Sequence, residues 1–266
     1  MRIGIIGHGY VGQAVAYSHN DHELVIRDPK YPTSAKYSDF LDCDAIYVCV
    51  PSPPIDPTLE NGRCDTSILE QTLKDLLFVI INKQIPIICK TTAPPSVYAR
   101  LQKEYPCIVH VPEFLTAKNH IKDYLSASYA IIGGDNHWNL EAAMFIQSGT
   151  GLSSNEIVLT DIKTAALYKY MMNSYLATKV TFMNEFKQLA DAEGVKFDNL
   201  ISIASHDKRM GKTHNNVPGP DGKYGWGGSC FPKDIAAIIT EALDLGLDFD
   251  LMQRVETLNN THRNKK

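Results

Sequence analysis

The stretch IGIIGHGYVG, residues 3–12, places three glycines directly after an apolar run that is typical of a buried strand. Gly7, Gly9 and Gly12 have the G-x-G-x-x-G spacing that joins the first strand of a dinucleotide-binding fold to its first helix. Glycine at these positions permits a tight turn and lets the backbone approach a pyrophosphate at the positive end of the helix. The stretch therefore predicts a doubly wound α/β domain that binds a dinucleotide.

Asp28 follows the second apolar run of the chain, ELVIR, which begins at residue 23. A carboxylate at the end of this strand can accept hydrogen bonds from the 2′-hydroxyl of a ribose. The position therefore favours NAD over NADP as the cofactor. Arg27 and Lys30 flank Asp28 and could tolerate a phosphate, which makes this preference weaker than the prediction of dinucleotide binding itself.

The first half of the chain alternates between strand-like and helix-like segments. The apolar runs are RIGII, ELVIR, AIYVCV, IPIICK, CIVHV, YAIIG and EIVLT. Between them, residues 66–82 form the clearest helix, because their apolar side chains share one face. This alternation predicts a Rossmann-type parallel sheet that is wound on both faces.

After about residue 160 the strand pattern stops and helical patterns continue. One stretch runs to about residue 192 without Gly or Pro, Gly194 is expected to end it, and further helices are expected near 197–205, 233–245 and 250–262. Residues 164–178 are apolar or neutral nearly all round, with Lys169 as their one charge, which predicts burial against a second helix layer or a second subunit. We therefore expect an NAD-binding domain over 1–159, an all-helical domain over 160–266, and a homodimer built on the long helix.

Composition excludes several classes of protein. The 266 residues carry a formal net charge of -4, and the Lys and Arg residues are scattered, which argues against nucleic acid as a partner. No stretch approaches the length of a membrane span, and the N-terminal apolar run is too short for a signal peptide. The six cysteines form no C-x-x-C pair and no zinc spacing, so we expect reduced thiols, no metal and a cytoplasmic location.

The segment GWGGSCFPKD, residues 225–234, sets Cys230 between a glycine-rich run and a proline suited to the start of a helix. A thiol just ahead of a helix lies near the positive end of its dipole, which favours the reactive thiolate, and Lys233 can add positive charge. The alternative is a buried structural cysteine, the common fate of this residue type. Gly227, Gly228 and Ser229 argue against it, because a core position gains little from a flexible approach.

Four further positions are candidates for chemistry. Lys169 and Asn173 lie four residues apart on the long helix and share one face, where a positive group can stabilise an oxyanion. The alternative for this pair is a snorkelling lysine beside an ordinary polar residue. Glu113 follows a strand at the sheet edge where α/β sites gather, although it can equally be a solvated loop acid, and Thr92 in KTTAPP shares that ambiguity.

These segments together resemble the UDP-glucose dehydrogenases and the related nucleotide-sugar dehydrogenases. The motifs GHGYVG, CVPSPP, KTTAPP, PEFLTAKN, YKYMMNSYL, DKRMG and GWGGSCFPKD occur in family order over nearly the whole chain. The resemblance implies a four-electron oxidation of a sugar primary alcohol to a carboxylate, with reduction of two NAD⁺, in polysaccharide biosynthesis. It also implies that Cys230 forms a thiohemiacetal and then a thioester, which water hydrolyses.

The resemblance assigns roles to residues at matching positions. It implies that Lys169 and Asn173 stabilise the oxyanion with Asp234, and that Glu113 and Thr92 handle water and protons. The cofactor-binding positions that it implies are Gly7, Gly9, Tyr10, Val11, Gly12, Asp28, Ser52 and Thr92. The substrate-binding positions are Phe114, Leu115, Lys169, Gly227 and Arg209, of which Arg209 is expected to reach the substrate of a neighbouring subunit.

The sequence departs from the family pattern in two places. Ala117 stands where the family usually has a second glutamate, which puts one contact of the hydrolytic water in doubt. Family members also carry a third, UDP-binding domain, so this chain is expected to be a short form. Three arrangements could replace the substrate contacts of that domain: a separate chain, the loop around NNVPGPDGKYG together with a dimer partner, or a smaller substrate. Because the domain is missing, we expect UDP-sugars to bind weakly.

Two other functions stay open from the sequence. A one-step β-hydroxyacid dehydrogenase shares the dinucleotide domain, the helical second domain and the lysine and asparagine on the long helix. A degenerate dinucleotide-binding module without activity would keep the fold alone. Cys230 separates the first of these from a nucleotide-sugar dehydrogenase, because a one-step enzyme has no use for it.

Overall fold

The computed structural model describes residues 1–55, 62–81 and 83–264. Its strands are β1 Arg2–Ile6, β2 Glu23–Arg27, β3 Ala45–Val48, β4 Ile87–Cys89, β5 Ile108–His110, β6 Ala130–Gly133 and β7 Ile157–Thr160. Its α-helices are α1 Tyr10–Ser18, α2 Ser67–Ile80, α3 Pro95–Glu104, α4 His120–Leu125, α5 Asn136–Thr150, α6 Ile162–Ala192, α7 Phe197–Ala204, α8 Phe231–Asp244 and α9 Asp250–Arg263. Each predicted strand and helix is present, and residue 82, the end of one predicted helix, lies outside the described residues.

The described strands form one sheet in the order β2-β1-β3-β4-β5-β6-β7. Neighbouring strands run parallel except for β5 and β6, which meet in antiparallel orientation at His110 and Gly133. The expected parallel sheet is confirmed, with this one junction as the exception. An apolar run reports burial on both faces of a sheet but not the direction of its strand, so the sequence pattern does not reveal this reversal.

Helices cover both faces of the sheet, which confirms the doubly wound architecture. Alternate strand residues enter two separate cores: Ile3, Ile5 and Tyr47 pack on the face that contains residues of α1 and α5. Ile46 and Ile87 pack on the other face with residues of α2 and α3. Because successive side chains of a strand point to opposite faces, β1, β3, β4 and β5 each contribute to both cores.

The chain divides into two compact units. The first unit is Met1–Pro53 with Cys64–Lys169, and the second unit is Pro54–Arg63 with Tyr170–Lys266. The division of these compact units lies inside α6, between Lys169 and Tyr170. The physical reason is that Ile162 and Ala166, in the first turns of α6, are buried in a core of the sheet.

The second unit is helical in its described part. One core joins the middle of α6 to α8 and α9 through Ala177, Ile235, Ile239 and Met252. A second core joins the end of α6 to α7, with Met183, Ala190 and Phe197 among its buried members. Gly194, with φ of +70°, follows the end of α6, as expected.

One face of α6 stays exposed in the single chain. Leu167, Met171 and Tyr175 are each more than half exposed, so one chain alone does not bury residues 164–178 on every side. Farther along the helix Phe182 and Leu189 are exposed too. The sequence pattern predicted the apolar surface correctly, but only packing decides which part of it one chain can cover.

Two buried histidines predict how stability depends on pH. Burial, with repulsion from His22, lowers the pKa of His19 to about 4, and burial lowers that of His110 to about 3. Both values lie below the 6.5 of an unfolded histidine, so the unfolded state takes up protons first as the pH falls. We expect the free energy of unfolding to decrease from pH 6.5 downwards, by up to about 3 kcal/mol at pH 4 from His19 alone.

Urea unfolding at pH 7.5, 6 and 5 tests this expectation. His19→Gln keeps a neutral polar group beside the Tyr47 hydroxyl, which lies 3.1 Å from His19 Nε2, and it should flatten the pH dependence. His137→Gln changes an exposed histidine and should leave the dependence as it is. An unchanged pH dependence in His19→Gln would contradict the role of His19.

Candidate active site

The glycine loop between β1 and α1 has the geometry of a dinucleotide cradle. Gly7 has a φ of +90°, and a Cβ at Gly12 would overlap the carbonyl oxygen of Gly7. At Gly9, the residue that precedes α1, a Cβ would have no atom within 4 Å, and no side chain caps the helix there. The first N–H groups of α1, including those of Tyr10 and Val11, thus lie at a helix start that is open to an anion. These features fit a pyrophosphate.

Asp28 is tied to this loop. Its carboxylate accepts the N–H of His8 at 2.7 Å and that of Lys30 at 2.9 Å. Burial alone would raise the pKa of Asp28, but these two hydrogen bonds outweigh burial and lower it, so the group is held as an anion. The Arg27 guanidinium stacks on the Tyr37 ring at 4.2 Å and donates to the carbonyl oxygen of Ala35. Arg27 is therefore engaged away from the carboxylate that it flanks in sequence.

Ser52 and Thr92 lie together beyond the carboxyl ends of β3 and β4. The Ser52 hydroxyl donates to the carbonyl oxygen of Thr92 at 2.6 Å, and the Thr91 hydroxyl donates to Val50 at 2.8 Å. Ser52 and Thr91 are buried, whereas Thr92 is half-buried. The two loops that follow neighbouring parallel strands are thus joined at the edge where ligands of α/β sheets bind.

Glu113 is an ordered carboxylate and not a solvated loop acid. Its Oε1 accepts the N–H groups of Phe114 and Leu115, at 2.9 and 3.2 Å, and its Oε2 lies 3.0 Å from Nζ of Lys90. The Lys90 side chain is only 3% exposed. A buried cation of this kind needs a partner, because the desolvation of an unpaired charge is costly. Sequence reasoning missed Lys90, although a lysine directly after the apolar run IPIIC was a usable signal.

Lys169 belongs to the same cluster of the first unit. It is buried, and its Nζ donates to the carbonyl oxygen of Glu113 at 2.5 Å. The ammonium also lies 4.9 Å from the centre of the Phe114 ring, a cation–π contact. The structure therefore brings Lys169, Glu113, Phe114 and Leu115 together, as a positive group beside a fixed carboxylate. A snorkelling lysine would extend into solvent, and Lys169 does not.

In the second unit, Cys230 immediately precedes α8 and is exposed. Its carbonyl oxygen accepts the N–H of Asp234, and Pro232 is the second residue of the helix, one place later than the sequence suggested. The other five cysteines are buried or half-buried. Burial raises the pKa of Cys49 to about 12 and that of Cys43 to about 11, so these thiols stay protonated near neutral pH.

Asn173 and Asp234 form a buried pair in the second unit. The Asn173 amide donates to Asp234 Oδ2 at 2.5 Å, and Lys233 Nζ lies 2.5 Å from Asp234 Oδ1. The charge of Lys233 is thus offset by Asp234, which weakens the expectation that it adds positive charge at Cys230. Lys169 and Asn173 lie one turn apart on α6, so the helix presents an ammonium and an amide on one face.

The remaining predicted positions are surface or loop residues. Arg209 has a side chain 90% exposed and forms a fork with the carboxylate of Asp207, with Nη2 at 2.6 Å from Oδ2. Gly227 lies against the Arg263 guanidinium, whose Nη2 would be 2.8 Å from a Cβ added at this glycine. Ala117 is exposed in a short 3-10 turn, Ala117–Asn119.

Two other kinds of feature, a metal site and a membrane-spanning helix, are absent from the residues that the structure describes. No group of three or more His, Cys, Asp or Glu side chains in these ranges is arranged to hold a metal ion. No helix in these ranges has both the length and the apolar character to cross a bilayer.

Known proteins resemble the chain over nearly its whole length. A UDP-glucose 6-dehydrogenase of Rickettsia bellii is 30% identical over 295 aligned positions, which cover 96% of this chain and 66% of the relative. A putative UDP-glucose 6-dehydrogenase of Bacillus subtilis is 27% identical, with 98% and 68% covered. The chain thus spans about two thirds of the length of these relatives.

Solved structures share the fold. A UDP-glucose dehydrogenase from Pyrobaculum islandicum matches with a TM-score of 0.83 at 23% identity, over 98% of this chain and 68% of that one. A 3-hydroxyisobutyrate dehydrogenase from Mycobacterium tuberculosis matches with a TM-score of 0.76 at 15% identity, over 99% of this chain and 95% of that one. At these identities both matches speak for the fold alone.

Two family models match successive parts of the sequence. Residues 25–147 match the NAD binding domain of the UDP-glucose/GDP-mannose dehydrogenase family, and residues 163–261 match the central domain of the same family. The glycine loop, residues 7–12, lies before the first matched range, and its geometry separately supports dinucleotide binding. The chain therefore belongs to the UDP-glucose/GDP-mannose dehydrogenase family and carries its NAD-binding domain followed by its central domain.

Proposed function

We propose that the chain oxidises the primary alcohol of a nucleotide sugar, of the UDP-glucose kind, to the carboxylate by way of a thioester on Cys230. The observation that carries this proposal is the contrast among the cysteines. All six lie within the described residues, and Cys230 is the exposed one, at a helix start with a glycine-rich approach. A one-step dehydrogenase has no use for such a thiol, whereas a two-step oxidation needs a nucleophile that holds the aldehyde.

NAD fits the first unit. In this proposal Gly7, Gly9 and Gly12, with the N–H groups of Tyr10 and Val11, hold the pyrophosphate; Asp28 holds a ribose; and Ser52 and Thr92 border the nicotinamide half. When bound, NAD supplies the hydride acceptor for each of the two oxidations. The overall reaction consumes one alcohol, two NAD⁺ and one water, and it yields one carboxylate, two NADH and three protons.

The residues of the chain have distinct tasks in this reaction. The Cys230 sulfur adds to the carbonyl carbon of the aldehyde intermediate and forms a C–S bond, which gives a thiohemiacetal. Lys169 and Asn173 stabilise its oxygen, with Asp234 orienting the Asn173 amide. Loss of a hydride then gives the thioester, and water held by Glu113 and Thr92 adds to it and releases the carboxylate and the thiol. Phe114, Leu115, Gly227 and Arg209 contact the substrate.

The number of NADH molecules formed per UDP-glucose consumed tests the proposal. Two per sugar is expected. One per sugar would point to a one-step dehydrogenase, and none would point to a dinucleotide-binding module without activity. Mass spectrometry of turnover mixtures should detect an acylated Cys230. If no thioester appears even when hydrolysis is slowed, the mechanism is contradicted.

Replacement of Asp28 should weaken NAD binding more than NADP binding. We expect Asp28→Ala to raise the Kd of NAD about tenfold, the loss of about 1.4 kcal/mol, because a charged acceptor for the ribose hydroxyl is removed. The wild-type protein should bind NAD more tightly than NADP. Fluorescence titration with both cofactors measures this, with exposed Asp135→Ala as the control; tighter binding of NADP by the wild type would contradict it.

The exposed face of α6 is part of the proposal. Met171, Tyr175, Phe182, Phe186 and Leu189 recur at three, four or seven residues, and a second copy of the chain would cover them. We expect a mass in solution near twice 29.6 kDa. Phe182→Glu should halve that mass in light scattering, whereas Phe78→Glu, which changes an exposed phenylalanine on α2, should not. A monomeric wild type would contradict the dimer.

A further inference from the structure

The segment that leads to Cys230 has unusual backbone requirements. Gly225 and Gly228 have φ of +70° and +80°, and Gly227 lies against the guanidinium of Arg263. Gly225 and Trp226 are buried, yet their N–H groups lie outside any helix or strand. Buried backbone groups of this kind need partners from side chains, because an unpaired one is costly.

Asn259 on α9 supplies those partners at Trp226. Its Oδ1 accepts the Trp226 N–H at 2.6 Å, and its Nδ2 donates to the Trp226 carbonyl oxygen at 3.0 Å. The amide thus contacts both backbone groups of one residue, which fixes the orientation of the backbone and not only its distance. Asn259 is 3% exposed, and its Oδ1 lies so close to Gly225 that a Cβ added there would overlap it. The Asn259 amide is therefore closely packed against this segment.

Two side chains of α6 complete the hold on this segment. Asn184 Oδ1 accepts the Gly225 N–H at 2.9 Å, and the Trp226 indole N–H donates to the Thr181 hydroxyl at 3.1 Å. On the other side of Cys230 the ring of Phe231 meets the Trp226 indole edge-on. The thiol therefore sits between a helix start and a backbone stretch that α6 and α9 hold through hydrogen bonds.

We propose that Asn259 is a positioning residue, which keeps the Cys230 sulfur in place by holding the Trp226 backbone. This inference rests on the proposed function for its catalytic consequence but not for its structural one. Displacement of a nucleophile by about 1 Å can lower the rate roughly 100-fold. The contact of Asn259 with the Trp226 backbone, four residues before Cys230, which we call the Asn259 clamp, should therefore affect the rate of thiohemiacetal formation. Attack on the aldehyde needs the sulfur in place, whereas the first oxidation of the alcohol does not.

The test compares Asn259→Ala with Asn260→Ala, the same change at an exposed neighbour. Hydrogen exchange followed by mass spectrometry should show amides of residues 225–230 exchanging at least tenfold faster in Asn259→Ala and unchanged in Asn260→Ala. In the same variant, NADH per UDP-glucose should fall from two towards one, with KM for the sugar within threefold of wild type. If Asn259→Ala does not fold, Asn259→Asp, which keeps one acceptor and loses the donor, is used for both readouts.

Each outcome decides something. Unchanged exchange would overturn the clamp, and faster exchange with two NADH and an unchanged rate would overturn its positioning role. A lower melting temperature with neither change would leave Asn259 as a packing residue only, which also contradicts the proposal. If the wild-type protein makes no NADH, the proposed function fails, and exchange alone decides whether Asn259 holds the Cys230 segment.

Discussion

Cys230→Ser is expected to stop carboxylate formation, with a rate at least about 10³-fold below that of the wild type. A serine hydroxyl is a far weaker nucleophile than a thiolate near neutral pH, so the aldehyde would not be captured and the second oxidation would not follow. NADH formed per UDP-glucose should drop from two to at most one. Mass spectrometry of the released aldehyde, trapped with hydroxylamine, measures how much substrate stops after the first oxidation.

A matched control for this variant is Cys107→Ser, the same substitution at a half-buried cysteine that has no role in the proposed reaction. It should keep two NADH per sugar and a rate within about threefold of wild type, because burial raises the pKa of this thiol and keeps it protonated. NAD binding by Cys230→Ser should equal that of the wild type. A Cys230→Ser protein that still makes the acid at the wild-type rate would remove the thioester from the mechanism.

Lys169→Met is expected to lower kcat about 10²- to 10³-fold with little effect on NAD binding, since it removes the positive group proposed to stabilise the oxyanion. Methionine keeps most of the length of the apolar stem, so packing beside Phe114 is largely preserved. Both oxidation steps should slow, in contrast to Cys230→Ser, which spares the first. Stopped-flow recording of NADH formation separates the two steps.

Lys163→Met is the control for this change, because Lys163 is an exposed lysine in the first turn of the same helix. Lys169→Arg should not restore the rate, because Lys169 is buried and a guanidinium is larger than the ammonium and carries five N–H donors in one fixed plane. A kcat within threefold of wild type in Lys169→Met would rule out the oxyanion role and leave the lysine as a support for the Glu113 loop.

The fold was predictable because its signals are local. Seven apolar runs, the glycine spacing at residues 7–12 and the turn chemistry around Pro232 each involve a few neighbouring residues. Burial periodicity and backbone preference act at that range, so they leave a pattern that can be seen in one sequence. The direction of β6 relative to β5 leaves no such pattern and had to come from the structure.

The candidate site was predictable only in part. Cys230, Lys169 and Glu113 stand out by themselves, as a cysteine in a glycine-rich approach, a lone charge in an apolar helix and an acid after a strand. Lys90 and Asn259 are noticed only when their partners are known, Glu113 in one case and the Trp226 backbone in the other. Asn259 shares the buried face of α9 with Met252 and Val255, so an apolar residue is expected there by periodicity alone.

By itself the sequence determined the order of strands and helices along the chain, the glycine loop of the NAD-binding domain, the cysteine that precedes a helix in a glycine-rich approach, and the family. Only the tertiary structure decided that the units divide inside α6, that Lys90 is paired with Glu113, and that α9 holds the segment before Cys230. The reason is physical. Lys90 and Glu113 are 23 positions apart in the sequence, and Trp226 and Asn259 are 33 positions apart. Contacts at such separations depend on how whole helices and strands pack, and not on the preferences of any one segment.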